Sequence, residues 1–166
     1  MEEGRGKKED RRIVSGYSFL IIMSEISDYI QDKCLAFSDR IIKLNDFLLL
    51  NAANANQSNN AGGDSRLKPV PVFLQSVSNL SNQLLRAATS IGANNSEAIN
   101  AISKADFKSK SFIALKEARE SLYWIELLFR NNYLTEAQYN SIYSDCEELV
   151  KILVARCKKL NQELGS

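Results

Sequence analysis

Apolar side chains recur along the chain at alternating steps of four and three residues, which is the spacing of one face of an α-helix. The first such stripe predicts a helix from about Ser27 to Leu50. Pro69 and Pro71 predict the start of a second helix, because proline is tolerated in the first turn of a helix. A second stripe follows them, and the one polar position in this stripe is Asn94. The two stripes consist of Ile30, Cys34, Phe37, Ile41, Leu44 and Leu48, and of Leu80, Leu84, Ala87, Ile91, Asn94, Ala98 and Ile102.

Two further stripes lie in the second half of the chain. Ser103 or a close neighbour is expected to cap a third helix, and the polar run from Arg130 to Asn132 marks its end. Thr135 and Gln138 have the spacing of a capping box, which predicts the start of a fourth helix. The two apolar faces are formed by Phe107, Ser111, Ala114 or Leu115, Ala118, Leu122, Ile125 and Phe129, and by Tyr139, Ile142, Cys146, Leu149, Leu153, Cys157, Leu160 and Leu164.

Four long helices with narrow apolar stripes bury those stripes most simply by packing on one another. The turns after the second and third helices are short, so those neighbours should be antiparallel. The pattern therefore predicts an all-α, antiparallel up-and-down four-helix bundle, with residues 23–166 as a single domain.

Two segments do not continue the stripes. Residues 1–12 carry charges of both signs and little to bury, so we expect a disordered tail. Residues 1–22 are then either an extension of the domain or the result of a translation start wrongly assigned upstream of Met23. Asn51 to Asp64 reads NAANANQSNNAGGD, which predicts a flexible loop. Together with the stretch up to Pro71, it forms a long Asn-rich loop (51–71) between the first two helices.

The composition is that of an ordinary globular domain. Apolar residues make up 45% of the chain and charged residues 25%, which argues against disorder and against a membrane bundle. The formal net charge is only +1, so binding to nucleic acid would need a local basic patch. The apolar run near the N-terminus is too short and too interrupted to span a bilayer. We expect a cytoplasmic protein without membrane contact.

Residues that commonly carry out catalysis are scarce. The chain has no histidine, which is the usual general base and the commonest metal ligand. Cys34, Cys146 and Cys157 are odd in number and fall at apolar helical positions, so we expect buried thiols rather than disulfides or metal ligands. No glycine-rich phosphate loop interrupts the helices. We therefore expect no catalytic, cofactor-binding or metal site, and no enzymatic activity.

A polar ridge accompanies the apolar seam of the second and third helices. One interpretation is a binding or proton-transfer site made of carboxylates and an arginine. The other, which we favour because histidine is absent, is a hydrogen-bonded network that fixes helix register or a subunit contact. In such a network Arg86 would pair with Glu120 or Glu117 across the bundle. Glu97 of an adjacent subunit is the alternative partner. The ridge consists of Arg86, Ser90, Asn94, Glu97, Glu117 and Glu120.

Basic residues outnumber nearby acids in parts of the third and fourth helices. They form either a solvated surface or a surface that contacts the phosphates of nucleic acid. The residues in question are Lys104, Lys108, Lys110, Lys116, Lys151, Arg156, Lys158 and Lys159.

Tyr123 and Trp124 bring adjacent aromatic side chains to the third helix. Helical spacing cannot place both on the core face, so one of them should point outward or into a neighbouring subunit. Core packing alone is one interpretation of this aromatic pair, and a contact with another subunit of an oligomer is the other.

Four segments of the sequence resemble a known family. QLLRAATSIGANNSEA (residues 83–98) and DFKSKSFIALKEARESLYWIELL (residues 106–128) are similar to four-helix-bundle proteins first noticed as reading frames in intervening sequences of bacterial 23S ribosomal RNA genes. IQDKCLAFSDRIIKLNDFL (residues 30–48) and LTEAQYNSIYSDCEELVKIL (residues 134–153) resemble that family's first and last helices. Two departures are the insertion at 51–71 and a similarity that begins only near Met23.

The resemblance implies an up-and-down bundle that assembles as a homopentamer. It also implies kinship with the accessory variability proteins of diversity-generating retroelements, which bind nucleic acid and a reverse transcriptase. The family's polar positions would map onto Arg86, Ser90, Asn94, Glu97 and Glu120.

Two functions follow as hypotheses. The first is a non-enzymatic oligomer that presents a basic surface to RNA or DNA. The second is a protein adaptor or scaffold, in which the basic residues are only solvated and the aromatic end of the third helix meets a partner.

Overall fold

The computed structural model describes the backbone of residues 3–60 and 72–164 and the side chains of residues 26–54 and 75–162. Within these residues every regular element is an α-helix: α1 spans Glu3–Asn60, α2 Val72–Ile99, α3 Lys104–Arg130 and α4 Glu136–Leu164. None of these helices, over its described residues, combines the length and the apolar content needed to cross a membrane. The predicted all-α class is confirmed.

The helices pack as neighbours in chain order, and α4 returns to contact α1. Contacts between α1 and α2 run in opposite directions along the two helices: Ser27 meets Asn95, whereas the later Ser38 donates to the carbonyl of the earlier Ala88. Contacts between α3 and α4 are ordered in the same way. The antiparallel up-and-down four-helix bundle is therefore confirmed.

The predicted apolar stripes form the core. Every member of the α1 stripe is at most 7% exposed, and Ile91, Ile125 and Leu153 from the other helices are fully buried in the same cluster. The end of the second stripe differs from the prediction, because α2 ends at Ile99 and Ile102 is 96% exposed. The chain has to leave α2 at this point to reach the cap of α3.

The predicted starts of α3 and α4 are confirmed. Ser103 Oγ accepts a hydrogen bond from the backbone N–H of Asp106 at 3.1 Å. The backbone N–H of Gln138 donates to Thr135 Oγ1 at 3.3 Å, and that of Thr135 donates to Gln138 Oε1 at 2.9 Å. These bonds satisfy backbone donors that the first turn of a helix leaves free.

The predicted limits of the first helix are wrong, since α1 runs from Glu3 to Asn60. The expected disordered tail, from Glu3 onward, and the first ten residues of the expected loop, 51–60, have helical backbone. Glu, Lys, Arg and Ala are good helix formers, whereas Asn, which fills half of residues 51–60, is not. The helix continues there because extending a helix costs far less than nucleating one. Residues 61–71 of the predicted loop, with Pro69 and Pro71, lie outside the described residues. The domain boundary near Met23 stays a prediction.

Candidate functional site

The predicted pairing of Arg86 within the bundle is wrong. Arg86 is exposed and forms no ion pair with any side chain in residues 26–54 or 75–162, including Glu117 and Glu120. The adjacent Ala87 takes the core position, which turns Arg86 outward. The alternative, pairing with Glu97 of an adjacent subunit, stays a prediction.

The other members of the polar ridge make separate local contacts. Asn94 Nδ2 donates to the backbone carbonyl of Ser90, one turn earlier in α2, at 2.9 Å. Glu97 forms an ion pair with Lys110 of α3. Glu117 is half-buried on α3. The described side chains of the ridge therefore do not form one connected network.

A buried arginine network consists of Ser27, Gln31, Asn95 and Arg156. Its member on α2, Asn95, directly follows Asn94 of the predicted ridge. Arg156 is only 4% exposed; its Nη1 donates to Asn95 Oδ1 at 2.8 Å and its Nη2 to Ser27 Oγ at 3.2 Å. Asn95 Nδ2 in turn donates to the carbonyl of Ser27 at 3.2 Å and to Gln31 Oε1 at 2.8 Å. The network joins α1, α2 and α4.

The positive charge of Arg156 is held by neutral groups. No carboxylate among the described side chains pairs with it, and its Nε is buried without a hydrogen-bond partner in that part of the chain. The guanidinium carbon lies 5.5 Å from the centre of the Phe107 ring, which supplies a cation–π contact. Burial lowers the pKa of Arg156. The oxygens of Asn95 and Ser27 are therefore the hydrogen-bond acceptors that stabilise the buried positive charge.

The expectation that Arg156 contacts nucleic acid is wrong, because the residue points into the bundle. The sequence carries a signal for this placement that we missed. Arg156 follows Leu153 by three residues and precedes Leu160 by four, which is the spacing of the core. Asn95 lies between Ile91 and Ala98 in the same way, so it occupies a core position that we had assigned to Asn94.

Several basic side chains on the surface are neutralised by carboxylates. Two of the predicted phosphate contacts belong to this group: Lys110 pairs with Glu97, and Lys151 pairs with Glu147 at 2.8 Å. Three other pairs are Lys33 with Glu148, Arg40 with Asp145 and Arg130 with Glu126. Such exposed pairs add little stability, but they reduce the positive potential that a phosphate would meet.

The outward side of α3 carries cations that are not neutralised. Lys108, Lys116 and Arg119 form neither an ion pair nor a hydrogen bond with any described side chain. Together with Phe112 and Tyr123 they follow one another at steps of four, four, three and four residues, so all five lie on one face of the helix. We call this set the basic-aromatic stripe. Both lysines are among the predicted phosphate contacts, whereas Arg119 is not.

A groove opens at the start of the basic-aromatic stripe. Its volume is about 650 Å³, and Asn161 of α4 forms part of its wall. The other predicted phosphate contacts, Lys104, Lys158 and Lys159, are exposed, and Lys158 lies one turn before Asn161 on α4. The α3 residues that line the groove include Lys108, Ser109, Phe112, Ile113 and Lys116.

The neighbouring aromatic residues face different directions, as predicted. Tyr123 is 59% exposed, whereas Trp124 is half-buried against the core. The two rings meet edge to face with their centres 4.9 Å apart, and the indole N–H of Trp124 donates to Glu120 Oε1 at 3.1 Å. Whether Tyr123 contacts another subunit stays a prediction.

A second surface of note is the outer face of α1, made of Leu35, Ile42, Phe47 and Leu50. These apolar side chains are between 44% and 64% exposed. They lie on a helix that packs against α2 and α4, away from the basic-aromatic stripe. Exposed charged side chains, such as Asp39 and Asp46, lie among them, so the four apolar groups are a candidate interaction surface rather than one continuous apolar patch.

The three cysteines are buried free thiols, as predicted. Burial raises the pKa of the Cys34 and Cys146 thiols to about 12 and also raises the pKa of Cys157. Thiols with raised pKa values stay protonated at neutral pH and are poor nucleophiles and metal ligands. In the part of the chain with described residues, no cluster of cysteine, aspartate and glutamate could hold a metal ion.

Comparisons with known proteins agree with the resemblance. The sequence model of the family described as 23S rRNA-intervening sequence protein matches residues 73–155, from α2 to most of α4. A crystal structure from Bacteroides thetaiotaomicron VPI-5482, described as a protein with unknown function from the S23 ribosomal protein family, is similar with a TM-score of 0.61 and 39% sequence identity. The match covers 80% of this chain and 98% of that chain. No curated protein matches the chain.

Proposed function

This chain belongs to the family of 23S rRNA-intervening sequence proteins, and we propose that it is a non-enzymatic protein that binds RNA or DNA through the basic-aromatic stripe of α3. The observation that carries the proposal is that Lys108, Lys116 and Arg119 share one helix face without a carboxylate partner among the described residues. The net charge of +1 supplies no general attraction to phosphate, so binding depends on this local surface.

Unpaired cations matter because they determine how much binding depends on salt. Each phosphate that a lysine or arginine neutralises releases counterions from the nucleic acid, and this release drives binding. Lys110 and Lys151 already have carboxylate partners, and binding a phosphate would compete with those pairs. The unpaired cations of the stripe have no such competition within the described structure.

The variant Lys116→Gln tests the proposal. We expect it to weaken the binding of short RNA and DNA oligonucleotides of every sequence. The slope of log Kobs against log salt should become shallower by about 0.7 for single strands or about 0.9 for duplexes. The control is Lys43→Gln, which removes an exposed lysine from α1. Fluorescence anisotropy over a salt series measures both effects; equal affinities and slopes for the two variants would count against the stripe.

A second candidate function is protein assembly, and the outer face of α1 favours it. We infer that a second copy of the chain covers this face, since leaving Leu35 and Leu50 more than half exposed is unfavourable in water. This proposal fits the homopentamer that the family resemblance implies. A reverse transcriptase is the other partner that the resemblance suggests.

Replacing both Leu35 and Leu50 with lysine should shift the protein towards a monomer, because charged side chains would then have to be buried in the contact. Light scattering after size-exclusion chromatography measures the mass. Ile102→Lys is the control, because Ile102 is 96% exposed and lies in the turn before α3. A monomeric parent protein, or an unchanged mass in the double variant, would contradict assembly through this face.

A further inference from the structure

We propose that the basic-aromatic stripe takes single-stranded RNA or DNA, with bases stacked on the rings of Phe112 and Tyr123 and phosphates bound by the cations between them. This inference rests on the proposed function, because it specifies which form of nucleic acid the stripe binds. Both sources, RNA and DNA, offer the same chemistry: a flexible phosphate backbone with base faces open to contact.

The order of residues in the basic-aromatic stripe places cations on either side of an aromatic ring. Phe112 follows Lys108 by four residues and precedes Lys116 by four, so a cation lies one helical turn to either side of the ring. From Lys108 to Tyr123 the stripe extends about 22 Å at the helical rise of about 1.5 Å per residue. Proteins that bind single strands combine cations that follow the backbone with rings on which successive bases stack.

The ring of Phe112 is partly open to solvent. The side chain is 37% exposed and lines the groove of about 650 Å³ next to Ile113. The groove is shallow and open to solvent, so a base can reach the ring from outside. In a duplex the base faces are stacked inside the helix, so a ring on a protein surface meets only base edges, sugars and phosphates. A single strand can place a base face against Phe112.

Tyr123 is positioned for the same role. Its ring is 59% exposed and is supported edge to face by Trp124, at an interplanar angle of 71°. The hydrogen bond from the Trp124 indole N–H to Glu120 anchors that support. A ring that is already held in place loses little rotational freedom when a base stacks on it, so more of the contact energy contributes to affinity.

The test compares four probes on the full chain: oligouridine RNA, oligothymidine DNA, an RNA duplex and inorganic polyphosphate. We expect both single strands to bind at least about 10-fold more tightly than the duplex or the polyphosphate, which lacks bases. Trp124 is the only tryptophan in the chain, so its fluorescence should change with the single strands and not with polyphosphate.

Two variants separate stacking from charge. Phe112→Leu and Tyr123→Leu keep an apolar side chain, and each should weaken single-strand binding about 5- to 150-fold while leaving the salt slope unchanged. Tyr29→Leu is the control, because Tyr29 is 50% exposed on α1. Circular dichroism melting curves confirm that each variant is folded.

The outcomes distinguish this inference from the proposed function. If all nucleic acids bind and the Phe112 and Tyr123 variants behave like Tyr29→Leu, the basic surface binds nucleic acid but the stacking inference is wrong. Equal affinity for duplex and single strand would overturn it as well. If no nucleic acid binds and the protein instead self-associates through the stripe, both the inference and the proposed function are wrong.

Discussion

Replacing Asn95 with alanine is expected to lower the free energy of unfolding by about 3 kcal/mol, since a buried charged donor loses its acceptor. In the folded protein Arg156 Nη1 donates to Asn95 Oδ1 at 2.8 Å, and Arg156 is 4% exposed. The shortened side chain would leave the guanidinium with Ser27 Oγ as its one remaining hydrogen-bond acceptor among the described side chains. Urea-induced unfolding followed by circular dichroism gives the difference.

The matched control is Arg86→Ala on the same helix. Arg86 is exposed, so its loss should change stability by less than about 0.5 kcal/mol.

Combining Asn95→Leu with Arg156→Met should cost less than the sum of the two single changes, because both residues belong to one interaction and apolar replacement of both removes the buried charge. An Asn95→Ala protein as stable as Arg86→Ala would show that the buried arginine network does not hold the bundle together.

Much of the fold could be predicted from the sequence because local rules determine it. The step of four and three residues identified the buried side chains of α1, such as Ile30 and Phe37. Short-range hydrogen-bonding rules identified the caps at Ser103 and Thr135. The length of α1 could not be predicted in the same way, because an existing helix can extend at low cost through residues without an apolar face, here even the Asn-rich residues 51–60.

The site was harder to predict, since it depends on partners that are distant in the sequence. Arg156 has the spacing of a core residue, but a charged side chain is usually found on the surface, and only the fold brings Asn95 and Ser27 to it. Likewise, the sequence cannot show that Lys110 meets Glu97 whereas Lys116 meets no carboxylate. Which cations remain unpaired on α3 is a property of packing between helices.

Reversing the charge of the three stripe cations, through Lys108→Glu, Lys116→Glu and Arg119→Glu together, is expected to reduce nucleic-acid affinity at least about 100-fold. Each change replaces an attraction to phosphate by a repulsion, and like charges brought together at an interface cost about several kcal/mol. The fold should survive, because none of the three side chains makes a hydrogen bond or ion pair with a described residue. The control reverses Lys43 and Arg86, which are exposed on α1 and α2 and, like the stripe cations, form no ion pair with a described side chain.

The most direct measurement of the central claim, that the stripe binds phosphate, is the salt dependence of oligonucleotide binding by the parent protein, the stripe variant and the control. For the parent and the control, three phosphate contacts with a single strand predict a slope of about −2 in log Kobs against log salt. For the stripe variant we expect a slope near zero and an affinity at least about 100-fold weaker. If the stripe variant kept the parent's slope and affinity while the control lost them, nucleic acid would bind elsewhere on the bundle and the account would be wrong.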